Sequence, residues 1–378
     1  MLKVIHTADI HLDSPFTLGD ASASAMRREE LREMFRRLCK YAAEAEADIV
    51  LIAGDLFDRK YVTKNTIDLV VREFENLPNT KFVISPGNHD FYSPDSIWVK
   101  TDFPKNVTVF SSEKLAKVQF EIRQRKVDVY GYAFTSISMD HCPFAEFTAD
   151  DPDAINILVA HGNMLKKNGE DCPITLADIR STNFDYIALG HIHNLHEIQL
   201  EDDQWYGYCG SPEPRDFGET GWHGVFALDM DKVDGEFVCK PQFVKMASKR
   251  YMVEKLNVTG AQQSEEILDA FKTMLTEKGY GEETLLRLIV EGDIAPAAEI
   301  PVEEIRAVAE QLSYIEIMDE TAPLFDFDYL ASDPTIRGAY FRQLFPKLRS
   351  SDPREREVAS KALRFGLSVL TGGELPEL

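Results

Sequence analysis

Five short segments of the chain combine aspartate, asparagine and histidine in a way that suits metal binding. Each segment comes directly after an apolar run of strand length, and open α/β sheets place their ligands at the carboxyl ends of strands. Glycine precedes the polar residues in three of them, which allows a tight turn. The segments are Asp9-Ile10-His11, Gly54-Asp55-Leu56-Phe57-Asp58, Gly87-Asn88-His89-Asp90, Ala160-His161-Gly162-Asn163 and Gly190-His191-Ile192-His193.

The number and type of these side chains indicate two metal ions rather than one. Carboxylate, amide and imidazole ligands suit Mn, Fe, Zn or Co better than Mg or Ca alone. Two ions roughly 3.5–4 Å apart clamp the attacking and leaving oxygens of a phosphoryl displacement. Asp55 leads its loop and has two free oxygens, so it is the natural residue to bridge both ions.

The elements that must position these residues read as an α/β domain over residues 1–250. Strands over Leu2–Ala8, Asp48–Ala53 and Lys81–Ser85 alternate with helices over Ala25–Ala45 and Asn65–Glu75, which predicts parallel strands covered by helices. Later strands have fewer intervening helices and predict a second sheet. These strands are expected over Lys117–Arg123, Asp128–Ala133, Ile155–Ala160, Asp185–Leu189, His196–Leu200, Gln204–Cys209, Gly224–Asp229 and Glu236–Val244.

The remaining chain divides into two further predicted parts. Residues 251–322 read as a small βαβαβ domain, whose size fits a separate compact unit. Residues 323–378 read as a helical tail, with helices over Tyr340–Leu348 and Glu355–Leu370.

The charge balance excludes a free-standing nucleic-acid binder that works by bulk electrostatics. The chain has 41 Lys and Arg against 64 Asp and Glu, a formal net charge of −23. Residues 337–364 run against this trend, with eight basic and three acidic residues. That stretch is a solvated helix face, a DNA contact or a dock for a partner, and the sequence leaves the three open.

The location of the protein is expected to be cytoplasmic, without membrane association. Its longest apolar runs have strand length, well below the roughly 18–20 residues of a membrane span. The first residues lack the basic region and long apolar segment of a signal peptide. Five scattered cysteines with no Cys-x-x-Cys spacing predict reduced, packed thiols.

The five segments, in this order, resemble the motifs of the calcineurin-like metallophosphoesterase superfamily. More narrowly, the chain is similar to the SbcD-type DNA repair exonucleases. His6–Phe16 (HTADIHLDSPF), Phe184–His193 (FDYIALGHIH) and Gly210–Phe217 (GSPEPRDF) resemble the bacterial YhaO-like branch of that group. The resemblance implies a two-sheet sandwich flanked by helices, with the small α/β domain and the helical tail added to it.

The resemblance also implies a role for each site residue. His89 would face the scissile phosphate, and Asp58 would orient it. A metal-bridging hydroxide would attack phosphorus in line, with Mn²⁺ as the expected metal. Asp9, His11 and His193 would hold the first ion, Asn88, His161 and His191 the second, and Asp55 would bridge them.

Three functions compete at this point. The first is a Mn-dependent DNA nuclease, which by resemblance pairs with an SbcC-type coiled-coil ATPase and is a possible homodimer. The second is a phosphodiesterase or phosphatase for small or protein substrates on the same metal centre, because fold and ligands do not separate these. The third is a non-enzymatic metal-holding scaffold, which the full ligand set disfavours.

Three other polar residues receive structural interpretations. His6 lies inside the first strand and is expected to be packed or bonded to the backbone. Asp90 is expected to be an exposed turn carboxylate, with a contact to the site as the alternative. Asp13 is expected to act as a helix cap or in a turn.

Overall fold

The computed structural model describes residues 1–16, 21–166, 169–201, 204–233, 235–295, 298–324 and 326–370. These residues form two compact units, Met1–Tyr251 and Met252–Leu378. Within the described residues, no helix combines the length and apolarity that a membrane-spanning segment requires.

The first unit contains two six-stranded sheets. In the first sheet, the strands that begin the chain are parallel neighbours. One late strand pairs antiparallel with the first of them, and a second late strand pairs antiparallel with that late strand. This confirms the parallel arrangement that the alternating strands and helices predict. The sheet order is β12-β11-β1-β2-β3-β4, with β1 at Leu2–Thr7, β2 at Ile49–Ile52, β3 at Lys81–Ile84, β4 at Val107–Val109, β11 at Gly224–Val233 and β12 at Glu236–Lys245.

The second sheet is the one expected from the strands with few intervening helices. The sheet order is β5-β6-β7-β8-β10-β9, with β5 at Ala116–Ile122, β6 at Arg125–Gly131, β7 at Ile155–His161, β8 at Tyr186–Gly190, β9 at His196–Glu201 and β10 at Gln204–Tyr208. The central strands β6, β7, β8 and β10 are parallel, and the edge strands β5 and β9 pair antiparallel with their neighbours.

Alternating side chains of the buried strands supply separate apolar cores on their two faces. Val4, Leu51 and Val159 belong to a core that both sheets share. Ile5 and Ile52 point the other way and pack with side chains of the covering helices, among them Leu31, Phe35 and Phe74. The two-sheet sandwich flanked by helices is therefore confirmed.

The helices of the first unit differ in length, and only the long ones were predicted. Ala21–Glu44 forms α1, and Lys64–Glu75 forms α2, whose first turn is capped by the Thr63 hydroxyl. Ile97–Lys100 (α3) and Leu176–Arg180 (α4) have four and five residues. Elements this short do not complete two turns, so they leave no helical periodicity in the sequence.

The second unit contains a three-stranded sheet, two helices that alternate with its strands, and a group of C-terminal helices. The sheet order is β13-β14-β15, and β14 and β15 are parallel. The elements are β13 (Arg250–Asn257), α5 (Ser264–Lys278), β14 (Thr284–Ile294), α6 (Val302–Val308), β15 (Tyr314–Pro323), α7 (Phe327–Ser332), α8 (Ile336–Leu348) and α9 (Pro353–Leu370). The further division near residue 322 stays a prediction.

Each part of this second unit has its own small core. Ile267, Phe271 and Leu288 pack together in the α/β part. Leu330, Phe341 and Leu363 pack together among the three C-terminal helices. The six-residue α7 was not predicted from the sequence.

Candidate metal centre

Five strands bring the predicted ligands together. Asp9 and His11 follow β1, Asp55 follows β2, and Asn88 follows β3, so all come from parallel neighbours of the first sheet. The second sheet supplies the rest from two parallel neighbours: His161 ends β7, and His191 and His193 follow β8. Parallel strands end at one edge of a sheet, and here the edges of both sheets contribute to one site.

The first predicted ligand set forms a compact group. Atoms of Asp9, His11 and His193 that can bind a metal lie within 4.8 Å of one another. The Nε2 atoms of His11 and His193 are 3.3 Å apart, and His193 Nε2 is 3.8 Å from Asp9 Oδ1. Asp55 Oδ2 lies 3.5 Å from His11 Nε2, next to this group.

The second predicted set meets the same carboxylate. His161 Nε2 lies 3.4 Å from Asp55 Oδ2 and 3.0 Å from Asn88 Oδ1. The ring of His191 has its centroid 5.2 Å from that of His161, and its Nε2 lies 3.9 Å from Asp171 Oδ2. Asp55 therefore lies between the two sets, where a bridging ligand has to be.

The hydrogen bonds of His161 test whether these residues suit a cation. Its Nδ1 lies 2.9 Å from the Ala53 carbonyl oxygen, which only accepts, so Nδ1 carries the proton. A neutral imidazole then has a lone pair on Nε2, and this lone pair faces the oxygens of Asn88 and Asp55. Three atoms with lone pairs that face one another need a positive ion between them, so this set of side chains fits a metal.

The backbone at the site adopts an uncommon conformation. The φ angles are 51° at Asp9, 48° at His11, 50° at Asp55 and 101° at His191. Positive φ is uncommon for residues other than glycine, although Asp and His tolerate it better than most. Such local strain concentrates at functional sites, where surrounding contacts hold it in place.

Two of the glycines that precede the ligands are required by geometry. Gly54 has a φ of 90°, and a Cβ added there would lie 2.0 Å from Nδ1 of His161. A Cβ added to Gly190 would lie 1.8 Å from the Ala53 carbonyl oxygen. Glycine therefore permits the ligand loops of the two sheets to approach each other.

Comparison with known proteins agrees with this geometry. Residues 2–195 match the family model described as calcineurin-like phosphoesterase. The chain therefore belongs to the calcineurin-like phosphoesterase family. This confirms the superfamily predicted from the five motifs.

Relatives of this phosphoesterase show how far the similarity extends. It is 29% identical over 242 residues to the "uncharacterized metallophosphoesterase YhaO" of Bacillus subtilis (strain 168), and the overlap covers 62% of this chain. The chain spans 58% of the length of that protein.

Solved structures of Vps29 from Entamoeba histolytica are also similar. A single-mutant form has a TM-score of 0.29 and 12% identity, and the wild-type complex with zinc has 0.28 and 13%. The matches cover 64% and 65% of the phosphoesterase and 99% of each Vps29 chain. Similarity at this level says nothing about activity.

His89 is the exposed member of the phosphoesterase site. Ligand-type atoms of His89, Asp58 and His11 lie within 4.8 Å of one another, and the His89 and His11 ring centroids are 4.7 Å apart. The His89 backbone N–H donates to Asp55 Oδ1 at 2.8 Å. No hydrogen bond joins His89 to Asp58 in the described part of the chain, so the orienting role of Asp58 stays a prediction.

Asp90 corrects one expectation, because it is buried rather than exposed. Only 2% of its surface is accessible, and its two carboxylate oxygens accept from the backbone N–H groups of Phe57 and Gly87. Burial, and then the charge of Asp55, raises the pKa of Asp90 well above its usual range. Asp90 thus ties two ligand loops together, which a turn-forming sequence pattern does not reveal.

The other two residues with a structural interpretation, His6 and Asp13, are buried as well. His6 bonds to the Leu189 carbonyl at 3.1 Å and to the Tyr186 hydroxyl at 2.9 Å, which confirms its structural interpretation. Asp13 accepts from the side chains of Arg32 and Thr66 and from both the backbone and hydroxyl of Thr63. Asp13 therefore joins the loop after β1 to the start of α2.

Two residues that sequence reasoning missed contact a predicted ligand. Glu219 Oε1 lies 2.7 Å from His193 Nδ1, and Arg215 Nη2 lies 2.6 Å from the same nitrogen. Burial acts to raise the pKa of Glu219, but the His193 hydrogen bond and the Arg215 charge outweigh it and lower the pKa to about 2. Glu219 follows His193 by 26 residues without a distinctive spacing, so the sequence offers no signal for it.

Burial also affects the protonation of two further predicted ligands, His191 and His11. It lowers the pKa of His191 to about 4, with a smaller contribution from His161. It also lowers the pKa of His11 well below the usual value, and the charge of Arg215 adds to this effect. Both imidazoles are therefore neutral near pH 7, as coordination requires.

Proposed function

We propose that this phosphoesterase is a dinuclear-metal phosphodiesterase that cleaves DNA and belongs to the SbcD type, in the YhaO-like branch. The observation that carries the proposal is the position of His89, an exposed imidazole beside the buried His11. A catalytic side chain at the protein surface suits a polymeric substrate that lies across the site. A small nucleotide is better served by a closed pocket.

The ligand geometry supports two metal positions. Asp9, His11 and His193 would hold one ion, with Asp55 shared. Asn88, His161 and His191 would hold the other. When bound, two divalent ions, which we propose to be Mn²⁺, would supply Lewis acidity and an activated water for attack on phosphorus.

The chain's own residues would act on the leaving group. The His89 backbone is fixed by Asp55, and its ring lies at the open side of the ligand set. We assign His89 to face the scissile phosphate, where it would stabilise the transition state or protonate the leaving oxygen. Asp58 would accept from the His89 ring and hold its orientation.

A substrate comparison tests the proposal. The purified chain is incubated with Mn²⁺ or Mg²⁺ and end-labelled single- or double-stranded DNA, and in parallel with bis-p-nitrophenyl phosphate. We expect Mn-dependent cleavage of the DNA ends or single strands. If the protein hydrolysed the small diester but did not cleave DNA, that result would contradict the nuclease function while leaving the phosphoesterase activity in place.

The second candidate is a phosphodiesterase or phosphatase for small-molecule or protein substrates. A formal charge of −23 favours it, because a polyanion is repelled from such a chain. The same charge predicts that the isolated nuclease binds DNA weakly. Nanomolar affinity for plain duplex at about 0.2 M salt would contradict that expectation.

The C-terminal helices are the proposed dock for an SbcC-type coiled-coil ATPase. Several of their apolar side chains are exposed, including Ile336 at 70% and Val358 at 61%. Basic residues of the stretch 337–364 contact residues close to them in the chain: Arg337 pairs with Asp333, and Arg349 lies over the ring of Phe345. Such pairing favours a protein contact over DNA. The side chain of Arg364 lies outside the described set.

Paired surface variants test this dock. Ile336→Asp and Val358→Asp in the full chain should reduce co-purification of a co-expressed SbcC-type ATPase. Ile137→Asp is the matched control, since Ile137 is 72% exposed in the other unit. Unchanged recovery of the ATPase with both helix variants would remove the docking proposal, and light scattering of the same samples reports any homodimer.

A further inference from the structure

A second layer of polar side chains lies behind His193. We call Ser211, Arg215, Glu219 and His223 the Glu219 cluster. All four belong to the connection between β10 and β11, beyond residue 195, where the family match ends. The five motifs do not include them.

The carboxylate of Glu219 is held from several sides. Its Oε1 lies 2.7 Å from His193 Nδ1 and accepts from Arg215 Nη2 at 3.0 Å. Its Oε2 accepts from the Arg215 backbone N–H at 2.9 Å and from Ser211 Oγ at 3.2 Å. His223 lies behind Ser211, with its Nδ1 2.8 Å from the Ser211 carbonyl. Glu219 is thus fixed in place beside the ligand.

Glu219 and Arg215 favour opposite tautomers of His193. A carboxylate accepts a proton from Nδ1, which leaves the lone pair on Nε2. A guanidinium only donates, and its contact to Nδ1 at 2.6 Å would place the proton on Nε2 instead. Nε2 faces Asp9 and His11, so only the first tautomer offers a lone pair to a cation there.

We propose that Glu219 is a positioning residue that selects the metal-binding tautomer of His193, while Arg215 and Ser211 hold its carboxylate in register. The inference rests on the metal-binding part of the proposed function and is independent of the substrate. The proposal means that residues of the connection between β10 and β11 support the first metal position. Carboxylate partners of this kind typically change metal affinity about 10–100-fold.

Calorimetric titration of the full chain with Mn²⁺ tests the proposal. Wild type should bind two ions. Glu219→Gln should weaken one of them by about 10–100-fold and leave the other unchanged. Glu219→Asp keeps the charge on a shorter side chain, so its Mn²⁺ affinity should lie between those of wild type and Glu219→Gln. Glu201→Gln is the surface control, since Glu201 pairs with Arg180 away from the ligands.

Nitrogen NMR of the histidines in the metal-free protein gives a second readout. The His193 ring should carry its proton on Nδ1 in wild type and lose that preference in Glu219→Gln. A folded Glu219→Gln that binds both ions with wild-type affinity and keeps this tautomer would overturn the proposal, as would a wild type that binds no Mn²⁺. A wild-type protein that binds Mn²⁺ normally but leaves DNA uncleaved would contradict the nuclease function and would leave the proposed role of Glu219 in place.

Discussion

His161 Nε2 and Asp55 Oδ2 lie 3.4 Å apart, although the first residue ends a strand of one sheet and the second follows a strand of the other. Their meeting joins the two sheets at the edge where the ligands collect. Because both atoms are acceptors when His161 donates through Nδ1, the contact gains its full strength only with a cation between them.

Asp55→Asn should separate metal binding from folding. Asp55 is buried near Asp9 and Asp90, where burial raises the pKa of both carboxyl groups and the charge of Asp55 adds to that shift. Removing that charge should leave the metal-free melting temperature unchanged or higher. In wild type, Mn²⁺ at about 100 times its dissociation constant should add about 2.7 kcal/mol of unfolding free energy, and the variant should lose this gain.

Calorimetric melting with EDTA or Mn²⁺ measures both quantities. Asp140→Asn is the control, because the Asp140 side chain is 88% exposed. A Mn²⁺-dependent rise in melting temperature that survives in Asp55→Asn would exclude Asp55 as a ligand.

His89→Gln should lower turnover of bis-p-nitrophenyl phosphate by about 10²–10⁴-fold, the usual range for a lost proton donor. Metal content measured by mass spectrometry should stay at the wild-type level, because His89 is outside both ligand sets. His141→Gln, at another exposed histidine, serves as the control. Wild-type turnover in His89→Gln would refute its assigned role.

Asp13→Asn should destabilise the first unit by about 2 kcal/mol, since it leaves Arg32 and two threonines without a buried anionic partner while asparagine tolerates the φ of 65° there. Urea unfolding gives the value. Asp68→Asn, on the exposed face of α2, should change stability by less than about 0.5 kcal/mol. Equal losses in the two variants would show that Asp13 does not anchor this loop.

His6 should make folding stability depend on pH. Burial, partly offset by the Leu189 carbonyl, lowers its pKa to about 3, whereas an unfolded histidine titrates near 6.5. As the pH falls below about 6.5, the unfolded chain takes up a proton that the folded chain refuses, so stability falls by up to about 1.4 kcal/mol per pH unit.

Urea unfolding in EDTA between about pH 7.5 and 5.0 checks this slope. His6→Leu should be less stable at the upper pH, because the Tyr186 hydroxyl loses its partner, but its stability should fall less steeply toward acid. Parallel slopes for wild type and His6→Leu would assign the pH dependence to other groups. The exposed His141→Leu is the matched control.

The sequence predicted where the candidate ligands lie in the fold, because each follows or ends an apolar strand. Asp9, Asp55 and His161 lie where β1, β2 and β7 end, and that order is visible as alternation of apolar runs and polar motifs. The two sheets and their long helices follow from the same patterns.

Contacts between distant segments were not predictable in this way. Asp90 reads as a turn residue, and only the packing of two loops makes it buried. Glu219 reaches His193 because β10 and β11 return the chain to the ligand edge. Helices of four to six residues, such as α3 and α7, lack the turns that periodicity requires.

The positive φ angles of Asp9 and Asp55 have a practical consequence for mutagenesis. Asparagine is isosteric with aspartate and tolerates left-handed backbone, whereas alanine and β-branched residues do not. An alanine scan of these loops would mix conformational penalties with lost coordination chemistry. Asp→Asn exchange isolates the chemistry, and His11→Asn likewise replaces the imidazole with a residue that accepts left-handed backbone.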